Sequence, residues 1–229
     1  MSKRNKQKNK HKNNEILSPI HNGYLFPLVN NGLKMLRAIN LVEGFKFVGK
    51  LLATNTRSSE TQIKYSRIAV DLFIILKWLF VIYILLASVA NVWTNVFVWY
   101  LLVANLYTYF YYHAWSTEIL LDDKFNIYRI KRRFSNLMQA ISFSLFGFAY
   151  LYYVPYSSEF AWGTEQPVFI YSLWFSISNS LTASYEQVKP ITDVGNTIAM
   201  MQLLMMFVFL TIIIGGTVPQ IKSSLEKEG

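Results

Sequence analysis

The chain contains no cysteine. A disulfide framework, a thiolate zinc site and a cysteine nucleophile are thereby excluded, and cysteine usage carries no information on redox compartment. Charge is scarce as well: Asp, Glu, Lys and Arg make up only 15% of the 229 residues. His11, His21 and His113 are too scattered to bind a metal from one helix face. No glycine-rich phosphate loop, nucleophile elbow or HExxH pair occurs. Asp122 and Asp123 form the one adjacent carboxylate pair, and without a partnering motif they read as a solvated turn. These absences argue against an enzyme, and no cofactor or metal is expected. The first 15 residues lack the apolar core of a secretory signal.

What the sequence has in abundance is apolar surface. Hydrophobic residues reach 53% and aromatics 17%, which in a chain this short points to a bilayer as solvent. Four stretches approach the roughly 20 apolar residues that a spanning helix needs. They are residues 69–93, 96–115, 137–155 and 196–216. The connection around Asn91, Thr94 and Asn95 is so brief that the first two must form a helical hairpin. Lys and Arg collect before the first span and again at Lys124, Arg129, Lys131, Arg132 and Arg133. Residues 156–195 carry only Lys189 against Glu159, Glu165, Glu186 and Asp193. The positive-inside rule then places both termini in the cytoplasm of a multi-pass cell-membrane protein.

Between the last two spans lies "SLWFSISNSLTASYEQVKP", residues 172–190, too short to cross. Residues 167–181, opened by Pro167 at a plausible first helical position, predict a helix of three to four turns. A non-helical return over 182–190 follows. Irregular backbone at that depth requires cover by protein or a water-filled cavity.

The order of span, outer turret, short helix, non-helical strand, proline and span resembles the tetrameric pore-loop cation channels, over about residues 137–217. In spacing, "SLWFSISNSLTASYEQVKPITDVGN" is similar to a potassium-channel pore segment, with Thr182, Ala183, Ser184, Tyr185 and Glu186 at the filter positions and Pro190 in register. Ser184 and Glu186 replace both filter glycines, whose backbone angles other residues reach at a cost of roughly 1–2 kcal/mol. The resemblance implies a homotetramer with a ring of Glu186 carboxylates above Thr182 and Ser184 hydroxyls, which favours monovalent cations without selecting one. It also implies that the last span lines an inner pathway, with Gln202 and Thr211 as polar exceptions and Met201, Met205 and Met206 as a constriction; the simpler reading of any one Met or Thr is packing against neighbouring helices. Gly215, Gly216 and Pro219 are expected to end that helix.

The remaining segments are peripheral. Residues 1–15 form a basic low-complexity tail, expected to be disordered and drawn to anionic lipid heads; lacking interleaved aromatics, it does not suggest nucleic acid. Residues 16–67 contain two amphipathic stripes, Met35, Leu36, Ile39 and Val42, then Phe45, Val48 and Leu52, turning at Gly44, as in an interfacial helix pair. A hairpin over 68–115, a basic loop over 116–136, the pore-like 137–217 and a tail over 218–229 complete the division. Lys77 sits two turns inside the first span, where snorkelling to the inner head groups is the default and pairing with Asp71 or another acid is the functional alternative. Neither hairpin helix has the spaced arginines of a voltage sensor. Two functions follow: an all-α integral membrane protein of four spans and a re-entrant pore helix that conducts cations without voltage gating, or a non-conducting sensor or scaffold that recruits a soluble cytoplasmic partner.

Overall fold

A computed structural model describes residues 24–52, 59–112 and 127–228. The expectations for the tail 1–15, His11, His21, His113, Lys124, Asp122 and Asp123 lie outside these residues. The chain divides into two compact units at Ile39. The described part of the first is helix α1, Leu25–Ile39, which exposes Leu25, Leu28, Met35, Leu36 and Ile39.

The second unit holds six helices and one small sheet among its described residues. Its elements are α2 (Leu41–Leu52), α3 (Ser59–Leu86), α4 (Val92–Phe110), α5 (Ile127–Tyr153), a 3-10 turn (Ser157–Glu159), β1 (Phe160–Trp162), α6 (Phe169–Ser180), β2 (Val188–Pro190) and α7 (Asp193–Glu228). The fold is thus almost wholly helical. Two helices are long and apolar enough to cross a membrane, over Thr61–Leu86 and Asp193–Ile212. Only 22% and 28% of their most apolar windows are buried inside the protein, so most of that apolar surface faces outward.

Several expected boundaries move, each for a local reason. The break between α1 and α2 falls at Asn40 rather than Gly44, because the Asn40 carboxamide oxygen accepts the Val42 N–H at 3.0 Å and so caps the new helix. Helix α2 packs along α3, and a Cβ on Gly49 would stand 2.9 Å from the Tyr65 carbonyl oxygen and from the Ala69 Cβ. The hairpin connection lies at 87–91, ahead of Thr94 and Asn95, which already belong to the first turn of α4. Asn91 accepts the Thr94 N–H at 2.7 Å and starts that helix. Helix α5 begins ten residues before the expected span, so the backbone of Arg129 to Arg133 is helical rather than looped. Pro167 precedes α6, whose N-cap is Val168. Helix α7 runs through Gly215, Gly216 and Pro219 to Glu228; these residues lower helix propensity without forbidding a helix whose neighbouring turns are intact.

The core gathers around α5. Phe143, Phe148, Tyr150, Leu151 and Tyr152 are fully buried between α3, α4, α6 and α7. Aromatic edges do much of the filling: Trp78 meets Phe143 and Phe146 at centroid separations of 5.8 and 5.5 Å, and Trp99 meets Phe148 at 5.7 Å. Edge-to-face pairs of this kind add about 0.5–1.5 kcal/mol each beyond their buried area. Gly147 lets α4 come close, since a Cβ there would lie 2.8 Å from Leu102 Cδ2.

Candidate functional site

The candidate site grows from the end of α6. This helix has 12 residues, about 18 Å at 1.5 Å per residue, well short of a hydrocarbon layer about 30 Å thick. It ends in a Schellman motif, with the Ala183 N–H on the Ser178 carbonyl at 2.8 Å and the Thr182 N–H on the Asn179 carbonyl at 3.0 Å. The motif needs a left-handed residue just past the cap, and Thr182 supplies it at φ 57°. Glycine is the usual choice, so a β-branched threonine here stores roughly 1–2 kcal/mol of strain.

Beyond that point Thr182, Ala183, Ser184 and Glu186 are exposed, and Tyr185 rests edge-on against Tyr171 at 6.4 Å. The five residues expected to act together therefore form one open loop. The return leg ends in pairing. Strand β2 runs antiparallel to β1, with Phe160 opposite Pro190, Ala161 opposite Lys189 and Trp162 opposite Val188. Two further bonds extend the ribbon, Gly163 N–H to the Gln187 carbonyl at 2.8 Å and Ile191 N–H to the Glu159 carbonyl at 3.0 Å. Thr192 then caps α7 by accepting the Gly195 N–H at 3.1 Å, while its hydroxyl donates to Glu159 at 2.5 Å. Gly195 is required at this contact, because a Cβ would stand 2.6 Å from the Glu159 carbonyl oxygen.

What holds α6 in position is a polar hub inside the protein. Gln202 of α7 is fully buried and donates to the Ser176 carbonyl at 2.9 Å and to Ser176 Oγ at 2.6 Å. Its Oε1 accepts from the Tyr152 hydroxyl at 2.6 Å and from Asn179 Nδ2 at 2.9 Å. Asn179 also donates to the Ala199 carbonyl, and Ser176 to the Leu145 carbonyl, each at 2.9 Å. Helices α5, α6 and α7 are thereby joined at one point whose donors and acceptors are all met.

The residues expected along the inner pathway are placed as follows within the single chain. Gln202 makes all its amide hydrogen bonds within the chain. Met205 and Met206 pack partly buried against the core, whereas Met201 is exposed. Thr211 is exposed, with its hydroxyl turned back to the Phe207 carbonyl at 2.9 Å. The open face of α7 is instead the stripe Met200, Met201, Leu204, Phe207 and Leu210. The hub partners had a legible trace: Ser176 and Asn179 stand three positions apart in an otherwise apolar segment, on the face that meets α7.

A second polar locus lies between α3, α4 and α5. Lys77 is buried, with its Nζ 2.8 Å from Asn105 Oδ1 and 4.4 Å from the Phe143 ring centroid. Asn105 Nδ2 donates to the Ala140 carbonyl at 2.9 Å and to Ser144 Oγ at 3.3 Å. Lys77 thus neither snorkels nor pairs with Asp71; it faces inward because an amide acceptor and an aromatic face await it there. Comparison with family models, curated proteins and solved structures gives no match.

Proposed function

We propose that this chain is one quarter of a homotetrameric, weakly selective cation pore in a cell membrane, opened by something other than voltage. In this reading α3, α4, α5 and α7 are four transmembrane helices with both termini cytoplasmic, and α6 is a re-entrant pore helix. The observation that carries the reading is the clamping of α6: a helix too short to span, pinned by Gln202 between two long helices, presents an exposed non-helical loop from its C-terminal end. The C-terminal end of a helix carries partial negative charge, and Glu186 adds a full carboxylate beside it. Both favour a cation over an anion. Four copies would ring the axis with these loops, and the exposed stripe from Met200 to Leu210 would face neighbouring copies or the lumen.

A second reading, the non-conducting sensor or scaffold, draws support from α2, where Phe47, Val48, Leu51 and Leu52 stay exposed. Such an apolar face suits anionic inner-leaflet lipid or a soluble cytoplasmic partner. Flux separates the two. Purified protein in sealed liposomes should pass sodium and potassium, and Glu186→Gln should lower that permeability while leaving the assembly mass unchanged. Vesicles that stay tight with wild-type protein would favour the scaffold, and a monomeric mass in mild detergent would remove the pore.

A further inference from the structure

Between the first turns of α7 and the N-terminal half of α4 runs an open groove of about 390 Å³. That volume lies within the range of about 300–1,000 Å³ typical of small-molecule sites. Helix α7 supplies Asp193, Thr197, Ile198 and Met201, whose spacing puts them on one helical face. The aromatic wall is Trp99 of α4 and Tyr156 from the turn after α5. Both rings are held by the chain: Trp99 meets Phe148 edge-on at 5.7 Å, and the Tyr156 hydroxyl accepts from Asn95 Nδ2 at 3.0 Å.

The polar groups here accept far more than they donate. Asp193 is exposed, and among the described residues no Lys or Arg pairs with its carboxylate. Thr197 gives its hydroxyl hydrogen to the Asp193 carbonyl at 2.7 Å, so that hydroxyl can only accept from a ligand. Asn95 adds a buried Oδ1 without a partner among the described residues. No Lys, Arg or His lines the groove. The positive end of α7 amounts to about half a unit charge spread over its first turn, and the full carboxylate of Asp193 outweighs it. From Asp193 to Met201 the face runs about 12 Å, polar at its start and apolar at its end.

We propose that this groove binds a soluble arylalkylamine, with its primary ammonium on Asp193 and Thr197 and its ring against Trp99, Ile198 and Met201. A primary ammonium brings three N–H donors to the waiting acceptors, whereas a quaternary one brings none. Its charge also suits the electron-rich faces of Trp99 and Tyr156. Phosphatidylethanolamine carries the same ammonium, but a phosphate stands beside it, and the lining has no cation to receive that phosphate. The inference does not rest on ion conduction, since it requires only the packing of α7 against α4 and the turn after α5.

The test measures binding of tritiated tryptamine to the full-length protein in phosphatidylcholine nanodiscs. Saturable binding is expected, displaced by unlabelled tryptamine and not by tryptophol, the neutral alcohol of the same shape. Asp193→Asn should weaken affinity about tenfold or more. Met201→Trp, which fills the apolar end and leaves the charge, should weaken it to a similar extent, with circular dichroism and assembly mass unchanged in each variant. Glu165→Gln removes an exposed carboxylate outside the groove and should leave affinity within about twofold. Equal weakening by Glu165→Gln and Asp193→Asn reduces the effect to surface charge and overturns the site, as does equal displacement by tryptophol. Suppression of binding by phosphatidylethanolamine in the nanodisc assigns the groove to a lipid headgroup and overturns the soluble amine. Binding by single chains in detergent that is lost on assembly gives the groove to a neighbouring copy, with the same consequence. No saturable binding below about 1 mM overturns the proposal outright.

Discussion

Gln202 and Lys77 are both buried polar side chains on long apolar helices, yet their surroundings differ in kind. Around Gln202 every donor and acceptor is met, and three helices converge on the amide. Around Lys77 a charge makes one hydrogen bond, leans on an aromatic face and borders a cavity. A saturated neutral network specifies geometry, because any shift breaks several bonds in a medium that offers no replacements. A charge with one hydrogen-bond acceptor and an aromatic face constrains its surroundings less, because fewer bonds are lost when they shift. The Gln202 locus is therefore fixed architecture, whereas the Lys77 locus holds a charge with a single hydrogen-bond acceptor among the described residues.

The sharpest way to break this contrast is to remove the hub. Gln202→Leu strands the Tyr152 hydroxyl and frees the Ser176 and Asn179 groups, for an expected loss of about 3–5 kcal/mol. Thermal unfolding in a single detergent reads it, and a loss below about 1 kcal/mol would deny the hub its role. The next largest effect lies at the seam between α2 and α3. Gly49→Leu drives a side chain into the Tyr65 backbone and Ala69, and should destabilise by about 2 kcal/mol in the same thermal assay. Thr182→Gly should act in the other direction: releasing the left-handed strain raises stability by about 1 kcal/mol in the same assay, and an unchanged midpoint would mean that the loop tolerates φ 57° without strain. The smallest effect is expected at Lys77→Met, within about 1 kcal/mol of wild type, because the lost hydrogen bond offsets the relieved burial of charge. A loss as large as that of Gln202→Leu would make the two loci equivalent.

Much of the helical plan could be read along the chain. Apolar runs of about 20 residues announce themselves through composition, and α3 and α7 meet the length and hydropathy that crossing requires. The short α6 was legible within two residues at its start and one at its end, since Pro167 and the small polar run after Leu181 punctuate it. Helix ends elsewhere were less readable. Asn91 and Asn40 became caps because each found a backbone N–H at the right distance, and Gly44 broke nothing because no such partner drew the chain away.

By itself the sequence determined that the protein is helical, where its long apolar segments lie, and that residues 182–186 follow a short helix as one irregular loop. Only the tertiary structure decided which polar residues face one another. It joined Gln202 to Ser176, Asn179 and Tyr152 as a structural hub, and turned Lys77 inward toward Asn105. The reason is that hydropathy and periodicity register how a residue prefers its solvent, whereas a hydrogen bond depends on a partner dozens of positions away and on the few tenths of an ångström between them. A linear pattern reports the first, and only the packed chain supplies the second.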